Sequence, residues 1–455
     1  MKFVLNNKIE EIDAPLGSST LDFLRKKGFT GVKEACHEGE CGACMILLGE
    51  MEESTVKYKA VTSCILPLGE IIGKHVVTIE GINQEKLTPI QEAIVEEGAS
   101  QCGFCTPGFV MSLTGFFLNE IFVKEDILTA IEGNLCRCGT YAAIKRAAEK
   151  IAEKIKVEDL NYSARVNYLI ELGVIPEYFK NIHEKLEKLN EKLESNGKGT
   201  NVAGATDLLV QREKIEKPVF LSQLQIRNDI WEEDGYIYIG ALASMEDIRL
   251  SEELNELFDI KNDLRVVSAL PIRIRATLGG NLVNASPIGD LTIYFLGLGA
   301  EISLRKGEKS RILPLKDFYK GYKQMDLEEG EVVESLRIKS KKRFFNFEKV
   351  AMRKYVDIAS VNSAISFEKE ENKIKNVHLS VGGVAPVPKY LEKTSNFLND
   401  KEVNSEVVRE ALEIADSEIS PISDVRGSAK YKRLLVRQLI IAHFMTLFPE
   451  MEVKL

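Results

Sequence analysis

Gln101-Cys102-Gly103-Phe104-Cys105-Thr106-Pro107-Gly108 is followed further along the chain by Asn134-Leu135-Cys136-Arg137-Cys138-Gly139. Pro107 suits the first turn of a helix, and the apolar residues after it predict a helix that begins beside Cys105. Unpaired N–H groups at a helix start favour an anionic ligand there. The C-x2-C and C-x-C spacings gather four thiolates. Taken alone, they leave zinc and an iron–sulfur cluster equally open.

Another cysteine group lies nearer the start of the chain, in Cys36-His37-Glu38-Gly39-Glu40-Cys41-Gly42-Ala43-Cys44, and Cys64 follows it. The C-x4-C-x2-C...C spacing is that of plant-type [2Fe–2S] ferredoxins. Its two glycines permit the tight curl that three thiolates on one loop need. A strand pair over residues 2–12, a helix over 20–27 and a strand over 45–48 predict a small ferredoxin-like unit around the loop. His37 is interpreted as lining the loop, because the cysteines already supply eight ligands.

The composition argues against several classes of protein. The chain of 455 residues carries a net charge of -9, which disfavours general nucleic-acid binding. No apolar run is long enough to span a bilayer, and the first residues lack the apolar core of a signal peptide. We therefore expect a cytoplasmic protein without membrane or nucleic-acid partners. In a reducing cytosol, its eight cysteines are better explained as metal ligands than as disulfides.

The strings CHEGECGAC, QCGFCTPG and GNLCRC resemble, in this order, the iron–sulfur module of the molybdenum hydroxylases, the family of xanthine dehydrogenase and aldehyde oxidase. The resemblance implies two [2Fe–2S] clusters, one in a ferredoxin-like domain over residues 1–80 and one in a helical domain over 81–156. Gly139-Thr140 reverses the usual order in the last motif without changing a ligand. The implied ligands are Cys36, Cys41, Cys44, Cys64, Cys102, Cys105, Cys136 and Cys138.

Two glycine-containing segments mark a further module. Asn201-Val202-Ala203-Gly204-Ala205-Thr206-Asp207-Leu208 runs from a predicted strand through a turn towards a predicted helix. Backbone amides in such a turn can hold a phosphate, although most turns of this kind bind nothing. Arg275-Ala276-Thr277-Leu278-Gly279-Gly280-Asn281, together with the residues up to Asp290, concentrates small and polar residues. That density suggests backbone wrapped around a ligand.

These segments also resemble the FAD domain of the same family, over about residues 200–455. The resemblance implies that Asp290 and Lys349 contact FAD and that Ile358 lies near its isoalloxazine ring. It also implies a pyrophosphate cradle formed by Val202, Ala203, Gly204, Ala205, Thr206, Asp207, Leu208, Thr277, Leu278, Gly279, Gly280 and Asn281. Ala205 stands where the family often has glycine, and its methyl group slightly narrows the approach to a phosphate.

The predicted fold class is α+β multidomain. It comprises a ferredoxin-like β-grasp domain, a helical-bundle [2Fe–2S] domain, and an α+β FAD-binding domain with an α+β C-terminal subdomain. A linker with one amphipathic helix over 177–194 is expected within residues 157–195, the FAD-binding domain over 196–342 and the C-terminal subdomain over 343–455. Gly297-Leu298-Gly299-Ala300-Glu301-Ile302 lacks the third glycine of a Rossmann fingerprint. It is interpreted as a turn before a strand over 301–305.

Members of the family oxidise substrate at a molybdenum–pterin centre, and no stretch of this sequence resembles the domain that holds it. The resemblance therefore implies an electron-transfer subunit, with molybdopterin only on a large partner subunit and no catalytic residue in this chain. Electrons would pass through both clusters to FAD and then to NAD or another acceptor. Gln101 and Cys138 would face the pterin. A dimer of heterodimers is expected.

Xanthine or hypoxanthine is the leading substrate, because the order of modules resembles the small subunit of bacterial two-subunit xanthine dehydrogenases. Nicotinate, an aldehyde, another purine and carbon monoxide are alternative substrates. A different alternative is a non-catalytic protein, either a cysteine-rich zinc scaffold or a stand-alone iron–sulfur and flavin carrier. Iron and acid-labile sulfide content separates the zinc scaffold from the cluster-containing proteins.

Overall fold

The computed structural model describes residues 1–53, 55–119, 127–158, 160–191, 199–211 and 215–450. The chain divides into two compact units, Met1–Leu224 with Ala269–Arg275 and Gln225–Ser268 with Ala276–Leu455. Both contain helices and sheets, which confirms the α+β multidomain class. The described residues between 199 and 224, expected to open the FAD-binding domain, fall in the first unit. Within the described ranges, no helix has the length and apolar character needed to cross a membrane.

The first unit opens with a mixed five-stranded sheet. In spatial order its strands are Lys8–Glu11, Lys2–Leu5, His75–Val77, Met45–Glu52 and Thr55–Thr62. The helix Thr20–Lys26 is capped by the Ser19 hydroxyl, which accepts a hydrogen bond from the Asp22 amide at 3.1 Å. Successive residues of the strand Met45–Glu52 point to opposite faces, so that Ile46 joins the core under this helix and Leu47 joins the core on the other face. Along the chain, the strand Thr55–Thr62 is followed by two 3-10 turns, Ser63–Ile65 and Leu68–Ile71.

A helical domain covers the second face of this sheet. Its helices are Ile79–Ile82, Pro89–Glu96, Thr106–Leu118 and Tyr141–Lys154, with a 3-10 turn at Thr129–Ile131. Ten of the thirteen residues of Thr106–Leu118 are buried, since this helix lies between the sheet and the other helices. Gly115 is so close to the sheet that an added Cβ would lie 2.7 Å from the Cβ of Ala60. The helix that carries Cys105 at its start is therefore held rigidly against the ferredoxin-like sheet.

The segment expected as a linker packs into the same core. It forms the helices Tyr162–Glu171 and Ile182–Leu189 and a 3-10 turn at Glu177–Asn181. The Tyr162 hydroxyl donates to the Val56 carbonyl at 2.9 Å. The helix expected over 177–194 is shorter than predicted, because Asn190 ends it in a left-handed conformation with φ of 38°. Residues 192–194 of that prediction lie outside the described residues.

The first unit closes with a parallel strand pair. Its strands are Thr200–Val202 and Pro218–Phe220, and a 3-10 turn at Leu221–Gln223 and a later short helix at Leu270–Arg273 belong to the same unit. An added Cβ on Gly69 would lie 2.1 Å from the ring of Phe220. The strand pair is therefore packed closely against the ferredoxin-like domain.

The second unit is built on two five-stranded antiparallel sheets. The first contains, in spatial order, Lys309–Pro314, Glu301–Lys306, Val332–Lys339, Tyr236–Gly240 and Ile230–Glu233. The second contains Phe344–Val350, Val361–Glu370, Lys373–Gly382 and Lys389–Tyr390, with Lys401–Glu402 also paired to Lys373–Gly382. A small hairpin pairs Tyr319–Gly321 with Gln324–Met325. The strand expected over 301–305 is confirmed, and Gly299 before it has a turn conformation with φ of +67°.

Eight helices are described in the second unit. They are Met245–Leu250, Glu252–Asn255, Ile260–Asp263, Leu278–Asn284, Asp290–Gly297, Glu392–Leu398, Ser405–Glu418 and Ala429–Leu447, with 3-10 turns at Leu264–Val266 and Leu315–Asp317. Asp290–Gly297 packs on the second sheet, where the Ser380 hydroxyl donates to the Ile293 carbonyl at 2.7 Å. An added Cβ on Gly297 would lie 2.5 Å from the Cβ of Ala364. This close contact fixes the helix that carries Asp290.

Asp263 gives the second unit a pH-dependent stability. Burial raises the pKa of Asp263 to about 7, against the hydrogen bond that its carboxylate accepts from the Tyr294 hydroxyl at 3.1 Å. The folded pKa then exceeds the unfolded value of about 3.9, so the folded state holds this proton more tightly. The stabilisation is present in acid and is lost as the pH rises through about 7.

We therefore expect Asp263→Asn, which keeps an acceptor for Tyr294, to stabilise the protein more at pH 8 than at pH 5. The gain at pH 8 should be on the order of 2 kcal/mol. Thermal unfolding at the two pH values measures it, with Asp317→Asn at an exposed aspartate as the control. A gain that is equal at both pH values would contradict this account.

Candidate cofactor-binding sites

The first cysteine group lies on a tightly curled loop and on the 3-10 turn that follows the sheet. The Cys36 thiol is within hydrogen-bonding reach of the Cys41 and Cys64 thiols, and Cys44 contacts Cys64. Cys44 and Cys64 are buried, whereas the other two are partly exposed. An added Cβ on Gly39, whose φ is +74°, would lie 2.5 Å from Ile65. The loop therefore needs glycine at this position both for its conformation and for its packing.

Backbone amides of this loop donate to sulfur, as an anionic cluster requires. The Glu38 amide donates to the Cys36 sulfur at 3.4 Å, and the Ala43 amide contacts the Cys41 sulfur. The His37 ring instead bonds the Glu34 carboxylate, at 2.7 Å from Nε2 to Oε1. The imidazole is thus engaged outside the cysteine group, in agreement with the interpretation of His37 as a residue that lines the loop.

The second cysteine group lies where a turn meets the helix Thr106–Leu118. Cys105 is the N-cap of that helix, and the proline expected in its first turn is there. The thiols form two contacting pairs, Cys102 with Cys138 and Cys105 with Cys136. One member of each pair comes from the C-x2-C segment and the other from the C-x-C segment. The structure therefore brings together the four thiols that the sequence predicts as one ligand set.

Cys136 is the best supported thiol of this group. Its sulfur lies 3.2 Å from the Thr140 hydroxyl, and its amide donates to the Tyr141 hydroxyl at 2.8 Å. Although burial opposes ionisation, the hydrogen bonds from Thr140 lower the pKa of the Cys136 thiol to about 7. A metal ligand must be deprotonated, so these contacts favour the ligating form.

A hydrogen bond connects the two cysteine groups. The Leu135 amide donates to the Cys41 carbonyl at 2.9 Å, and Leu135 directly precedes Cys136. Beside it, the Asn134 side chain donates to the Gly42 carbonyl at 3.4 Å. An added Cβ on Gly108 would lie only 2.2 Å from that same carbonyl. The two ligand loops are therefore joined directly, by a backbone hydrogen bond and by the Asn134 side chain.

The donor set fits two iron–sulfur clusters. Each group offers four cysteine sulfurs, which is the ligand set of a [2Fe–2S] cluster. Across the described part of the chain, no three His, Cys, Asp or Glu side chains are arranged to hold a single metal ion. In the second group the cysteine sulfurs meet as two contacting pairs, and a two-iron cluster needs two cysteines at each iron.

The segment Val202–Leu208 lies in the first unit and forms a turn. Ala205 has a left-handed φ of 59°, and the residues from Asp207 to Gln211 form turns rather than the helix expected from the sequence. The Arg275 guanidinium donates from Nη2 to the Gly204 carbonyl at 3.2 Å. Its Nε is buried and has no acceptor among the described residues. The cationic side chain of Arg275 thus lies beside the predicted phosphate turn. No pattern in the sequence indicated this contact.

The conformation of Ala205 leads to a stability prediction. A left-handed φ disfavours any residue with a Cβ, and glycine removes that cost. We expect Ala205→Gly to stabilise the protein by about 0.5–1 kcal/mol, measured by urea unfolding. Ala203→Gly, two residues away, is the control and should be destabilising, since Ala203 is not among the residues with positive φ. Equal losses in both variants would contradict the strain at Ala205.

The segment Thr277–Asn281 lies in the second unit and begins the helix Leu278–Asn284. Its amides already have partners: Leu278 and Gly279 donate to the carbonyls of Ala243 and Ala241 at 2.9 and 2.8 Å, and Gly280 donates to the Thr277 hydroxyl at 3.1 Å. An added Cβ on Gly279 would lie 3.0 Å from Ala241. In this structure, the glycines therefore serve close packing of the helix start. The amides at 278–280 are not free to cradle a phosphate.

Asp290 and Lys349 form a buried ion pair in the second unit. Their side chains are 11% and 5% exposed, and Lys349 Nζ lies 2.8 Å from Asp290 Oδ2. The Asn362 amide donates to the other carboxylate oxygen at 2.6 Å, a contact with no signal in the sequence. Ile358, predicted near the flavin ring, is 55% exposed on an irregular segment. The structure thus pairs Asp290 with Lys349 and leaves Ile358 open to contact.

Comparison with known proteins matches four segments of the chain to known domain families. Residues 3–68 match a 2Fe-2S iron-sulfur cluster binding domain and 78–149 a [2Fe-2S] binding domain. Residues 177–339 match the FAD binding domain in molybdopterin dehydrogenase, and 347–447 the CO dehydrogenase flavoprotein C-terminal domain. The chain is therefore an iron–sulfur flavoprotein with two [2Fe–2S] domains and an FAD-binding domain.

Similar proteins agree with this class. Xanthine dehydrogenase of Emericella nidulans is 28% identical over 88% of this chain and 35% of its own length. Xanthine dehydrogenase/oxidase of Rattus norvegicus is 26% identical over 99% of this chain and 39% of its own length. The chain thus spans less than two fifths of the length of these relatives. Carbon monoxide dehydrogenase from Hydrogenophaga pseudoflava shares the fold with a TM-score of 0.52 at 22% identity, covering 55% of this chain and 89% of that one. The chain belongs to the xanthine dehydrogenase family of molybdenum hydroxylases and corresponds to its iron–sulfur and flavin part.

Proposed function

We propose that this chain is the electron-transfer subunit of a molybdenum hydroxylase. It would receive electrons from a molybdopterin centre on a large partner subunit and deliver them through two [2Fe–2S] clusters and FAD to NAD or another acceptor. The observation that carries the proposal is the pair of four-cysteine groups joined by the hydrogen bond between Leu135 and Cys41. Electron transfer is the chemistry that the clusters and the flavin supply when bound. The residues fix where those groups lie and which side is exposed.

The exposure of the two cysteine groups supports a direction for the electrons. Cys102 and Cys138 are exposed, whereas Cys44 and Cys64 are buried. Around the exposed pair, Phe104 is 46% exposed and Leu135 is 50% exposed. Large apolar side chains that are grouped at a protein surface often mark a site of interaction with another protein. We propose this surface, with Gln101, as the face that meets the molybdenum subunit and receives electrons.

By resemblance to the family, we keep Asp290, Lys349, Ile358 and the turn at 202–208 as proposed flavin contacts. Lys349 and Asp290 would orient the cofactor through a pair that Asn362 holds in place, and Ile358 would lie against the ring. The turn at 202–208 would receive phosphate groups, with Arg275 as the nearby cation. Cytoplasmic location and a dimer of heterodimers remain part of the same proposal, by resemblance to the family.

Xanthine or hypoxanthine is the substrate that we propose first. The relatives that align with 88% and 99% of this chain are named xanthine dehydrogenase and xanthine dehydrogenase/oxidase. Nicotinate, an aldehyde, another purine or carbon monoxide, and a role as a carrier without a molybdenum partner, are the alternatives that the experiment must separate.

Anaerobic addition of xanthine to the protein purified from its source with bound partners tests this function. We expect the visible absorbance of flavin and clusters to fall, with molybdenum and a large second subunit in the preparation. Dithionite serves as the control for full reduction. Reduction by dithionite but not by xanthine would overturn the substrate. A colourless preparation that contains zinc would overturn the relay itself.

A further inference from the structure

A cavity of about 480 Å³ lies within the second unit, lined by residues from both of its sheets and by the end of the helix Asp290–Gly297. This volume falls in the range of small-molecule sites in proteins. The predicted flavin contacts of the unit, Asp290 and Lys349, are not among the residues that line it. The cavity is therefore a separate feature of this unit.

Four cationic side chains line the cavity. Lys316, Arg337, Lys339 and Arg343 face it, together with one acidic residue, Glu301. Glu301 is neutralised by Arg337, whose Nε lies 2.8 Å from its carboxylate. Because the whole chain has a net charge of -9, this local positive charge is not a general property of its surface.

Arg343 is the most informative of these cations. Its side chain is 6% exposed, with Nη1 at 3.3 Å from the Glu368 carboxylate and Nη2 donating to the Asn376 carbonyl. Its Nε is buried and has no acceptor among the described residues. A buried donor without a partner is unfavourable, and native proteins rarely leave one unless water, an ion or a ligand accepts from it.

The remaining walls of the cavity combine a positive field with flat apolar surfaces. Burial, together with the charges of Arg343, Lys316 and Lys339, lowers the pKa of His378 to about 4, so three cations act at one point of the cavity. His378 Nδ1 lies 3.0 Å from the Tyr390 hydroxyl. The rings of Tyr236, Phe258 and Tyr390 supply apolar lining.

We propose that this cavity binds a small organic anion. Its carboxylate or phosphate group would be held by Lys339 and Arg343, and a flat apolar body would lie against the aromatic walls. Arg and Lys are the residues that proteins use for such groups, and aromatic side chains supply contact area for the rest of the ligand. The proposal does not depend on the identity of the substrate or on bound flavin.

Phenyl phosphate is a suitable probe, because it combines a phosphate with an aromatic ring. Isothermal titration of the full, cofactor-loaded protein is expected to show saturable binding, with inorganic phosphate and phenol each at least tenfold weaker. Lys339→Glu should weaken phenyl phosphate at least tenfold. The control Lys309→Glu makes the same charge change at an exposed lysine that does not line the cavity, and it should leave binding unchanged.

Arg343→Gln tests the buried donor and should weaken binding as Lys339→Glu does. Circular dichroism checks that this variant folds, and the Lys339 variant keeps the test valid if it does not. The flavin absorbance is followed to show that the probe does not displace FAD. If Lys339→Glu and Lys309→Glu weakened binding equally, the probe would be held by general electrostatic attraction to the surface, and the proposed site would be wrong. Phenyl phosphate no tighter than inorganic phosphate would overturn an organic ligand.

Discussion

Replacing Cys136 with serine is expected to remove about half of the bound iron and to stop substrate-driven reduction of the flavin. Dithionite should still reduce the flavin. Cys136 is a buried thiol supported by Thr140 and Tyr141, and serine is a poor ligand for iron–sulfur clusters, which proteins hold by cysteine thiolates. Iron and acid-labile sulfide analysis, with electron paramagnetic resonance of the reduced protein, measures the loss.

Cys64→Ser is the matched variant, since Cys64 is a buried thiol of the other group. Each variant should lose one of two distinguishable cluster signals and keep the other. If both variants lost the same signal, or if Cys136→Ser kept all of its iron, the assignment of the eight cysteines to two separate clusters would be wrong.

Replacing Gly108 with alanine is expected to destabilise the first unit by about 2–3 kcal/mol. A helix interior normally gains stability from this change, by about 1 kcal/mol. Here the added Cβ would lie 2.2 Å from the Gly42 carbonyl, a backbone atom that cannot move without moving the cysteine loop. The helix and the loop should separate. Both cluster retention and the unfolding midpoint in urea should fall.

Gly98→Ala provides the control for this prediction. Gly98 has a positive φ of +61°, but nothing lies within 4 Å of an added Cβ, so its variant carries backbone strain without a clash. It should lose no more than about 1 kcal/mol and should keep its iron. Equal midpoints for the two variants would contradict the close approach of the loops.

The two predictions test one structural idea. The loops of the two cysteine groups meet through the Leu135 amide and the Cys41 carbonyl, and Gly108 permits that approach. Under the proposed function, this junction is where electrons pass between the clusters. Cys136→Ser removes a predicted cluster ligand beside this junction. Gly108→Ala is expected to separate the two loops while leaving all eight predicted ligands in place.

Much of the fold was predictable where local patterns repeat. The sequence predicted a strand over 45–48 and a helix after Pro107, and the structure contains the strand Met45–Glu52 and the helix Thr106–Leu118. The expected helix over 177–194 failed at Asn190, because periodicity does not show where a left-handed residue ends a helix. The helix expected after Leu208 failed because a glycine-containing turn can lead into further turns.

The candidate sites divide in the same way. Spacing predicted two groups of cysteines, and the structure brings thiols of each group into contact, since the members of a group lie on short, recognisable segments. The glycines of Thr277–Asn281 were predicted as a phosphate cradle, whereas the amides at 278–280 bond to the protein itself. Arg275 and Asn362 were missed because they approach the sites through tertiary packing, for which a single sequence gives no signal.

The sequence by itself determined the chemistry of this protein: which thiols are available, in what groups, and which family carries those groups in this order. Only the tertiary structure decided that the two cysteine loops share a hydrogen bond, that two cysteines of the second group are exposed while two of the first are buried, and that Asp290 pairs with Lys349. The physical reason is range. Ligand spacing and helix starts are set by residues a few positions apart, whereas burial and these contacts depend on residues that are distant along the chain and meet only when it packs.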